Sequence, residues 1–111
     1  MTAAPRNAAP QTANAVRGEA SIVVDASPCV LRPTFAGLVA AEEELGSLFE
    51  LVERAADGKL KLAEVAALFW HCATGETVSR EDMGDAVLAM GLARCTPPLR
   101  VILQQIVQGS A

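Results

Sequence analysis

The chain has 111 residues, a formal charge of −4 and an apolar content of 51%. This length indicates one domain, and the apolar content is sufficient for a core that needs no metal or disulfide. Between Glu42 and Asp85 the sequence has eleven acidic residues against four basic ones. A surface that follows a phosphate backbone needs the opposite sign, so these properties argue against a nucleic-acid-binding protein.

The three cysteines (Cys29, Cys72 and Cys95) are widely separated and form no C-x-x-C motif. They are typical of small buried hydrophobic residues in a reducing cytoplasm. Residues 1–15 lack the apolar central run of a secretion signal, and no stretch approaches the roughly eighteen uninterrupted apolar residues of a membrane span. We therefore expect a cytoplasmic protein with no membrane partner.

The N-terminal part predicts a tail followed by a hairpin. Residues 1–17 mix Ala and Pro with Asn, Gln and Thr, which predicts a disordered tail before a single domain at 18–109. Two β-prone runs, 19–24 and 29–32, enclose residues 25–28, which have the composition of a four-residue hairpin loop. A lone hairpin is marginal in water, so it must lie on the helices. The predicted inward residues are Ile22, Val24, Cys29 and Leu31.

The hairpin leads into a helix that Thr34 can cap and Gly46 can end. Glu42 projects into the middle of its apolar face, where a carboxylate needs a partner. It accepts hydrogen bonds from a neighbouring helix N-terminus or pairs with Arg32, or else the face meets a protein partner that Glu42 helps to select. The predicted apolar face consists of Phe35, Leu38, Val39 and Leu45.

Four further helices are predicted from start and stop signals. Ser47 and Ser79 each begin a capping box, and Thr96-Pro97 opens the last helix with a cap and a proline at its first position. Gly84 lies inside the fourth helix and indicates a close helix contact. The predicted fold class is α+β, mostly α, with an N-terminal β-hairpin packed on a bundle of about five short helices.

The sequence offers no convincing site for catalysis, a cofactor, a metal or a small-molecule substrate. His71 is predicted on the polar side of its helix, whereas the neighbouring Cys72 points toward the core. One histidine and three scattered cysteines do not make a zinc site. Residues 53–64 resemble a calcium loop, but Ala55 stands where an oxygen ligand is required. Glu43 and Glu44 are predicted as solvated surface, so an enzyme is not expected.

What remains is an interaction surface on helices. Leu68 and Trp70 flank the core stripe of the third helix and make it wide, although Trp70 can equally fill the single core. The last helix has an outer side with almost no charge, and such faces often bind other helices. The candidate partner-binding residues are Glu42, Leu68, Trp70, Val101, Gln104, Gln105 and Gln108.

Several short features give the chain a family resemblance. They are Arg17-Gly18-Glu19, the strand end Leu31-Arg32-Pro33-Thr34, the helix Phe35 to Gly46 with Glu42, the Asp57-Gly58 break and the helix start Val78-Ser79. Over about residues 17 to 108 the sequence resembles the gene-transfer-agent tail protein family, whose members are described as tail tube proteins or tail assembly chaperones. Two positions depart from the family pattern, which often has leucine at Ala41 and a serine or threonine cap at Lys61.

The resemblance implies a non-enzymatic role in building a phage-like tail. Such chaperones are thought to coat the apolar tape-measure protein until tube subunits polymerise around it, so the implied partners are the tape-measure protein or other tail components. A structural tail subunit retained in the particle, with homo-oligomerisation, is the alternative, although the chain has few strands for pairing between subunits. A helix-turn-helix regulator is opposed by the acidic charge.

Overall fold

The computed structural model describes residues 19–74 and 78–109, which form a two-stranded antiparallel hairpin and five helices. This architecture confirms the predicted α+β, mostly α class. The predicted tail at 1–17 and the predicted helix stop at Gly75 lie outside the described residues. The elements are β1 (Ala20–Val24), β2 (Ser27–Leu31), α1 (Phe35–Leu45), α2 (Leu48–Ala56), α3 (Leu62–Cys72), α4 (Arg80–Met90) and α5 (Leu92–Gln108).

The hairpin turn is tighter than predicted. Asp25 and Ala26 alone connect the strands, with φ values of 52° and 64°, and Val24 pairs directly with Ser27. The predicted four-residue loop is therefore wrong, because a two-residue turn with positive φ follows the natural twist of the paired strands. The predicted inward residues Ile22, Val24, Cys29 and Leu31 are all buried.

The end of α3 attaches the helices to the hairpin. Arg32 N–H donates to the Cys72 carbonyl oxygen at 2.7 Å, and Thr74 N–H donates to the Val30 carbonyl oxygen at 3.0 Å. The outer edge of β2 is thus paired with the chain that leaves α3, and a bridge between Leu31 and Ala73 completes this contact.

Helix α1 packs through its small residues, and the apolar face predicted for it is wrong in part. Ala41 is fully buried, whereas Phe35 at the start of the helix is 85% exposed and Val39 also reaches the surface. The reason lies at Gly37, where an added Cβ would clash with the His71 backbone carbonyl. The close approach of α1 to the end of α3 brings the Gly37 side of the helix, not the Phe35 side, against the core.

Three predicted helix caps are confirmed, and one predicted contact is wrong. The Thr34 hydroxyl accepts from Gly37 N–H at 3.0 Å. The Ser47 hydroxyl accepts from Glu50 N–H at 3.4 Å, and the Ser79 hydroxyl accepts from Asp82 N–H at 3.0 Å. A Cβ placed on Gly84 would meet no atom within 4 Å. Gly84 therefore does not mark a close helix contact.

Helix α5 begins earlier than predicted. Gly91, with φ of 81°, ends α4 and immediately precedes α5, so Pro97 and Pro98 lie inside the helix rather than at its start. The predicted start at Thr96 is wrong because burial of Cys95 holds the preceding turn in the helix. The Thr96 hydroxyl donates to the Leu92 carbonyl oxygen at 3.1 Å within that turn.

The buried side chains form one core between the hairpin and the helices. Both strands and all five helices contribute at least one buried residue. The largest fully buried side chains are Leu31, Leu51, Leu68, Phe69, Met83 and Ile102.

Candidate docking groove

One face of α5 carries a continuous stripe that lines an open space, although Leu99 and Leu103 on it are also packed partly against the core. Its members recur at helical spacing over the full length of the helix, which corresponds to about 24 Å. They are Leu92, Thr96, Leu99, Arg100, Leu103, Gln104, Val107 and Gln108. Val107 near the end of the helix is 63% exposed, so this stripe presents apolar side chains to solvent.

Helix α2 forms the opposite wall, through Val52, Ala55 and Ala56. The two helices make little direct contact with each other, and the space between them has a volume of about 400 Å³. A second space of about 200 Å³ continues it toward Leu60 and Leu92, sharing Ala55 and Leu99. We call the two together the α2–α5 groove. Its shape and length suit an added helix lying against α5.

Of the residues that the structure describes, a single charged one, Arg100, lines the α2–α5 groove. Within residues 19–74 and 78–109, no hydrogen bond or ion pair joins its guanidinium to another residue. The other polar lining groups are the Thr96 hydroxyl and the Gln104 and Gln108 amides. In an acidic protein, this groove is thus an apolar surface with a local positive charge.

The structure places two of the predicted partner-binding residues in the groove and the others outside it. Gln104 and Gln108 line the groove. Val101 and Gln105 are half-buried on α5 without lining it. Leu68 is fully buried in the core, so its side chain offers no surface to a partner in this conformation.

Glu42 is exposed, and its carboxylate accepts from Leu48 N–H at 3.1 Å, at the start of α2. The interpretation that it serves a neighbouring helix N-terminus is thereby confirmed. Arg32 instead pairs with the buried Glu19, with 2.7 Å between Nε and Oε2. The partial positive charge at the N-terminus of α2 stabilises the negative charge of Glu42.

Trp70 belongs to a polar junction that lies outside the groove. Its indole N–H donates to the Val78 carbonyl oxygen at 2.6 Å, and the Arg80 guanidinium carbon lies 4.1 Å from the ring centroid. Glu44 accepts from Arg80 at 2.6 and 2.8 Å, and one of its oxygens lies 2.8 Å from His71 Nε2. The junction therefore connects α1, α3 and α4.

This junction corrects two expectations about its charged members. The His71 side chain is only 9% exposed, so it is not a solvated surface histidine. Glu44 is engaged rather than simply solvated, and its hydrogen bonds from Arg80 and His71 lower its pKa from 4.5 to about 2. Both groups are committed to one another, and the arrangement resembles a structural ion pair rather than an acid and a base poised over a substrate.

An ion pair between α2 and α3 supports the α2 wall of the groove. Arg54 on α2 binds the Glu64 carboxylate on α3 with a shortest distance of 2.8 Å, and the same carboxylate accepts from Lys61 N–H at 2.9 Å. The hydrogen bonds from Arg54 and then Lys61 lower the pKa of Glu64 to about 2. Glu64 thus replaces the missing serine or threonine cap at Lys61 with half of a capping box.

The described part of the chain has a further open space outside the α2–α5 groove. A space of about 390 Å³ between α3 and α4, which we call the α3–α4 groove, has Leu62 and Leu88 at its surface. No group of three metal-ligating side chains occurs among the described residues. Cys72 and Cys95 are buried, and desolvation raises the pKa of Cys72 to about 12. Thiolate chemistry is therefore suppressed at Cys72.

Arg100, Val52, Ala55 and Val107 are groove residues that the sequence reasoning missed. Arg100 and Val107 lie within the last helix as predicted, but the sequence analysis singled out Val101, Gln104, Gln105 and Gln108 there. The pattern of α5 alone does not show which of its side chains face α2. The α2 wall carried no comparable signal, since its position opposite α5 depends on the tertiary fold.

A search for helices that could cross a membrane found no single one among residues 19–74 and 78–109. Helices α4 and α5 together reach the necessary length and apolar composition, but they are bent by 116° at the break between them.

The hairpin, the five helices and the open groove define a small α+β protein with an apolar surface between two of its helices. Comparison with protein families matches residues 17–109 to the family described as phage tail tube protein, GTA-gp10. The match spans most of the chain, and the protein belongs to this family, as the resemblance predicted. Such a tail family is in general structural rather than enzymatic. Comparisons with curated proteins and with solved structures gave no match.

Proposed function

We propose that this protein is a non-enzymatic chaperone of phage-like tail assembly, acting in the bacterial cytoplasm. It holds apolar helical segments of the tape-measure protein in the α2–α5 groove until tube subunits replace it. The observation that carries this proposal is the groove itself: an apolar stripe along α5, open to solvent and facing a wall on α2.

The groove has the properties that reversible protection of a helix requires. Its floor is apolar at Leu99 and Leu103, and its rim carries the amides of Gln104 and Gln108, as in interfaces with an apolar centre and a polar edge. A single helix in such a groove makes a small interface, below the roughly 1,200 Å² at which stable complexes begin. We expect micromolar affinity, about −8 kcal/mol, which allows displacement by tube subunits.

The net charge fits the same role. At −4, the free protein repels its own copies and stays dispersed while its apolar groove is empty. A chaperone of this kind needs no cofactor and no small-molecule substrate, and its acidic surface disfavours nucleic acid.

A structural tail subunit retained in the particle is the second candidate. The family description names tail tube proteins, and the large exposed side chains of Phe35 and Phe49 suit a protein whose surface is covered by neighbouring copies. The short hairpin opposes this candidate, since β2 is already paired on its outer edge by the chain after α3.

Quantitative mass spectrometry of purified particles, compared with the lysate from which they come, distinguishes the two candidates. A chaperone is expected in the lysate in complex with the tape-measure protein, and absent from finished particles. Recovery of this chain from particles at the copy number of the tube would overturn the chaperone proposal and establish the structural one.

A further inference from the structure

The position of Arg100 carries information about what the α2–α5 groove accepts. It lies near the middle of α5 (Leu92–Gln108) and, among residues 19–74 and 78–109, is the only charged residue that lines the groove. Its neighbours along the stripe, Leu99 and Leu103, are apolar and partly buried against the core. A bound helix would cover this guanidinium, and covering a cation without a counter-charge is costly.

We propose that the helix bound in the α2–α5 groove carries an aspartate or glutamate midway along its apolar face, and that this carboxylate pairs with Arg100. The proposal rests on the proposed chaperone function and names the chemistry of its partner. The occupant is an amphipathic helix of the tape-measure protein, with small or medium apolar residues on both sides of the acidic one.

Charge complementarity favours this occupant. The protein is acidic as a whole, yet the described part of the chain lines the groove with one cation and no anion. Arginine binds a carboxylate through two parallel hydrogen bonds, which fixes geometry as well as charge. Partial removal of water by the surrounding apolar side chains strengthens the pairing. The contact therefore sets the register of the helix in the groove and excludes helices with a basic residue at that position.

The groove is a poor match for a phosphate backbone, because a single cation among apolar side chains offers no track of charges. A second copy of the chain is the other possible occupant. In that case the free protein would dimerise, and substitution at Arg100 would weaken the dimer.

The test uses the full chain and overlapping fragments of the tape-measure protein of the same phage-like tail. Binding of each fragment is measured by titration calorimetry for the wild type, Arg100→Glu and Arg94→Glu. Arg94 is the matched control, because it is an exposed arginine on the same helix, outside the groove, and has no ion-pair partner among the described residues. Circular dichroism verifies that both variants keep the wild-type fold.

We expect Arg100→Glu to weaken binding about tenfold or more and Arg94→Glu to change it less than about twofold, since only the first places like charges in contact. Replacing one acidic residue of the fragment with lysine should restore binding to Arg100→Glu and weaken binding to the wild type. The difference in affinity between the wild type and Arg100→Glu should also become smaller at high salt, because salt screens the charges.

The failures of the inference and of the proposed function are distinguishable. If the wild type binds a fragment but both variants bind it equally well, the pairing with Arg100 is overturned and the chaperone function stands. If no fragment binds the wild type, the chaperone function is overturned together with its partner. A wild-type dimer that Arg100→Glu dissociates, measured by light scattering, assigns the groove to a second copy and also overturns the inference.

Discussion

Gly37 is the residue at which α1 comes closest to the rest of the molecule. The Cβ of any other amino acid would clash there with the backbone carbonyl of His71. A backbone atom cannot rotate away as a flexible side chain can, so α1 would have to shift. Gly84 is a helical glycine in the opposite situation, with open space where a side chain would begin.

We predict opposite effects for alanine at these two glycines. Gly37→Ala should lower the free energy of unfolding by about 1–3 kcal/mol because of overpacking. Gly84→Ala should raise it by about 0.5–1 kcal/mol, because alanine restricts the unfolded chain and suits a helix interior. Urea unfolding followed by the fluorescence of Trp70 measures both, and a loss of stability in Gly84→Ala would contradict the structure.

Glu64 is the residue through which acid should weaken the wall of the groove. Its folded pKa of about 2 lies below the ordinary glutamate pKa of 4.5, so the unfolded chain takes up the proton first as the pH falls. Its contribution to stability is therefore complete above about pH 4.5 and is lost as the pH falls toward about 2.

We predict that Glu64→Gln reduces stability near neutral pH by about 1 kcal/mol and makes it less dependent on pH in this window. The amide oxygen of glutamine can still accept from Lys61 N–H, so the substitution removes mainly the charge pair with Arg54. Thermal unfolding across the acidic range provides the measurement. Glu53→Gln, at an exposed acid of α2, is the control, and equal pH profiles for both variants would argue against a role for the Arg54–Glu64 pair.

At the scale of elements, local signals in the sequence were sufficient to predict five helices and a hairpin. Ser47 and Ser79 cap helices where their side chains predict it, because capping depends on a few neighbouring residues. The start of α5 could not be predicted in this way. Thr96-Pro97 has the pattern of a helix start, but burial of Cys95 extends the helix back to Leu92, and burial is decided by the whole fold.

The packing of α1 shows the same limit. A helical pattern alone does not distinguish a face of large apolar residues from one of small residues, and Phe35 is the stronger apolar signal. Ala41 is nevertheless the buried position, because the short distance to α3 favours small side chains. Glu44 and His71 were likewise predictable as polar residues, but their pairing across two helices was not.

The α2–α5 groove yields a prediction that compares two helix surfaces. Val107 on this groove and Leu88 on the α3–α4 groove are exposed to a similar degree, at 63% and 68%. We predict that Val107→Glu weakens binding to tape-measure fragments about tenfold or more, because it places a charge on the apolar stripe. Leu88→Glu should change binding less than about twofold.

Calorimetric titration of both variants against the same fragment gives the comparison, and their thermal midpoints verify folding. If Leu88→Glu weakens binding of the fragment more than Val107→Glu does, the partner binds in the α3–α4 groove and not in the α2–α5 groove. Since both substitutions add the same charge, a difference between them cannot come from net charge alone.

For the whole molecule, the groove differs in charge from the protein as a whole. The net charge is −4, whereas the charged residue that lines the groove in the described part of the chain is Arg100. The acidic composition was readable from the sequence and argued against nucleic acid. The position of Arg100 among the apolar side chains of the groove could not be read from the sequence, because it depends on how α2 lies opposite α5. The sequence did point to Gln104 and Gln108 through the low charge of the last helix, and both line the groove.

The two prolines inside α5 give the groove an uneven stiffness. Pro97 and Pro98 have no amide hydrogen to donate, so the carbonyls of Ala93 and Arg94 lose their partners four residues onward. The first turn of α5 is thus joined to the remainder by fewer hydrogen bonds than an unbroken helix would have. Fluctuations of the helix should be larger at this end. The groove can therefore widen beside Leu92 and Leu60, whereas its part beside Leu103 keeps its shape. A groove with one rigid half and one flexible half would allow this protein to bind successive turns of a long partner helix with an irregular surface.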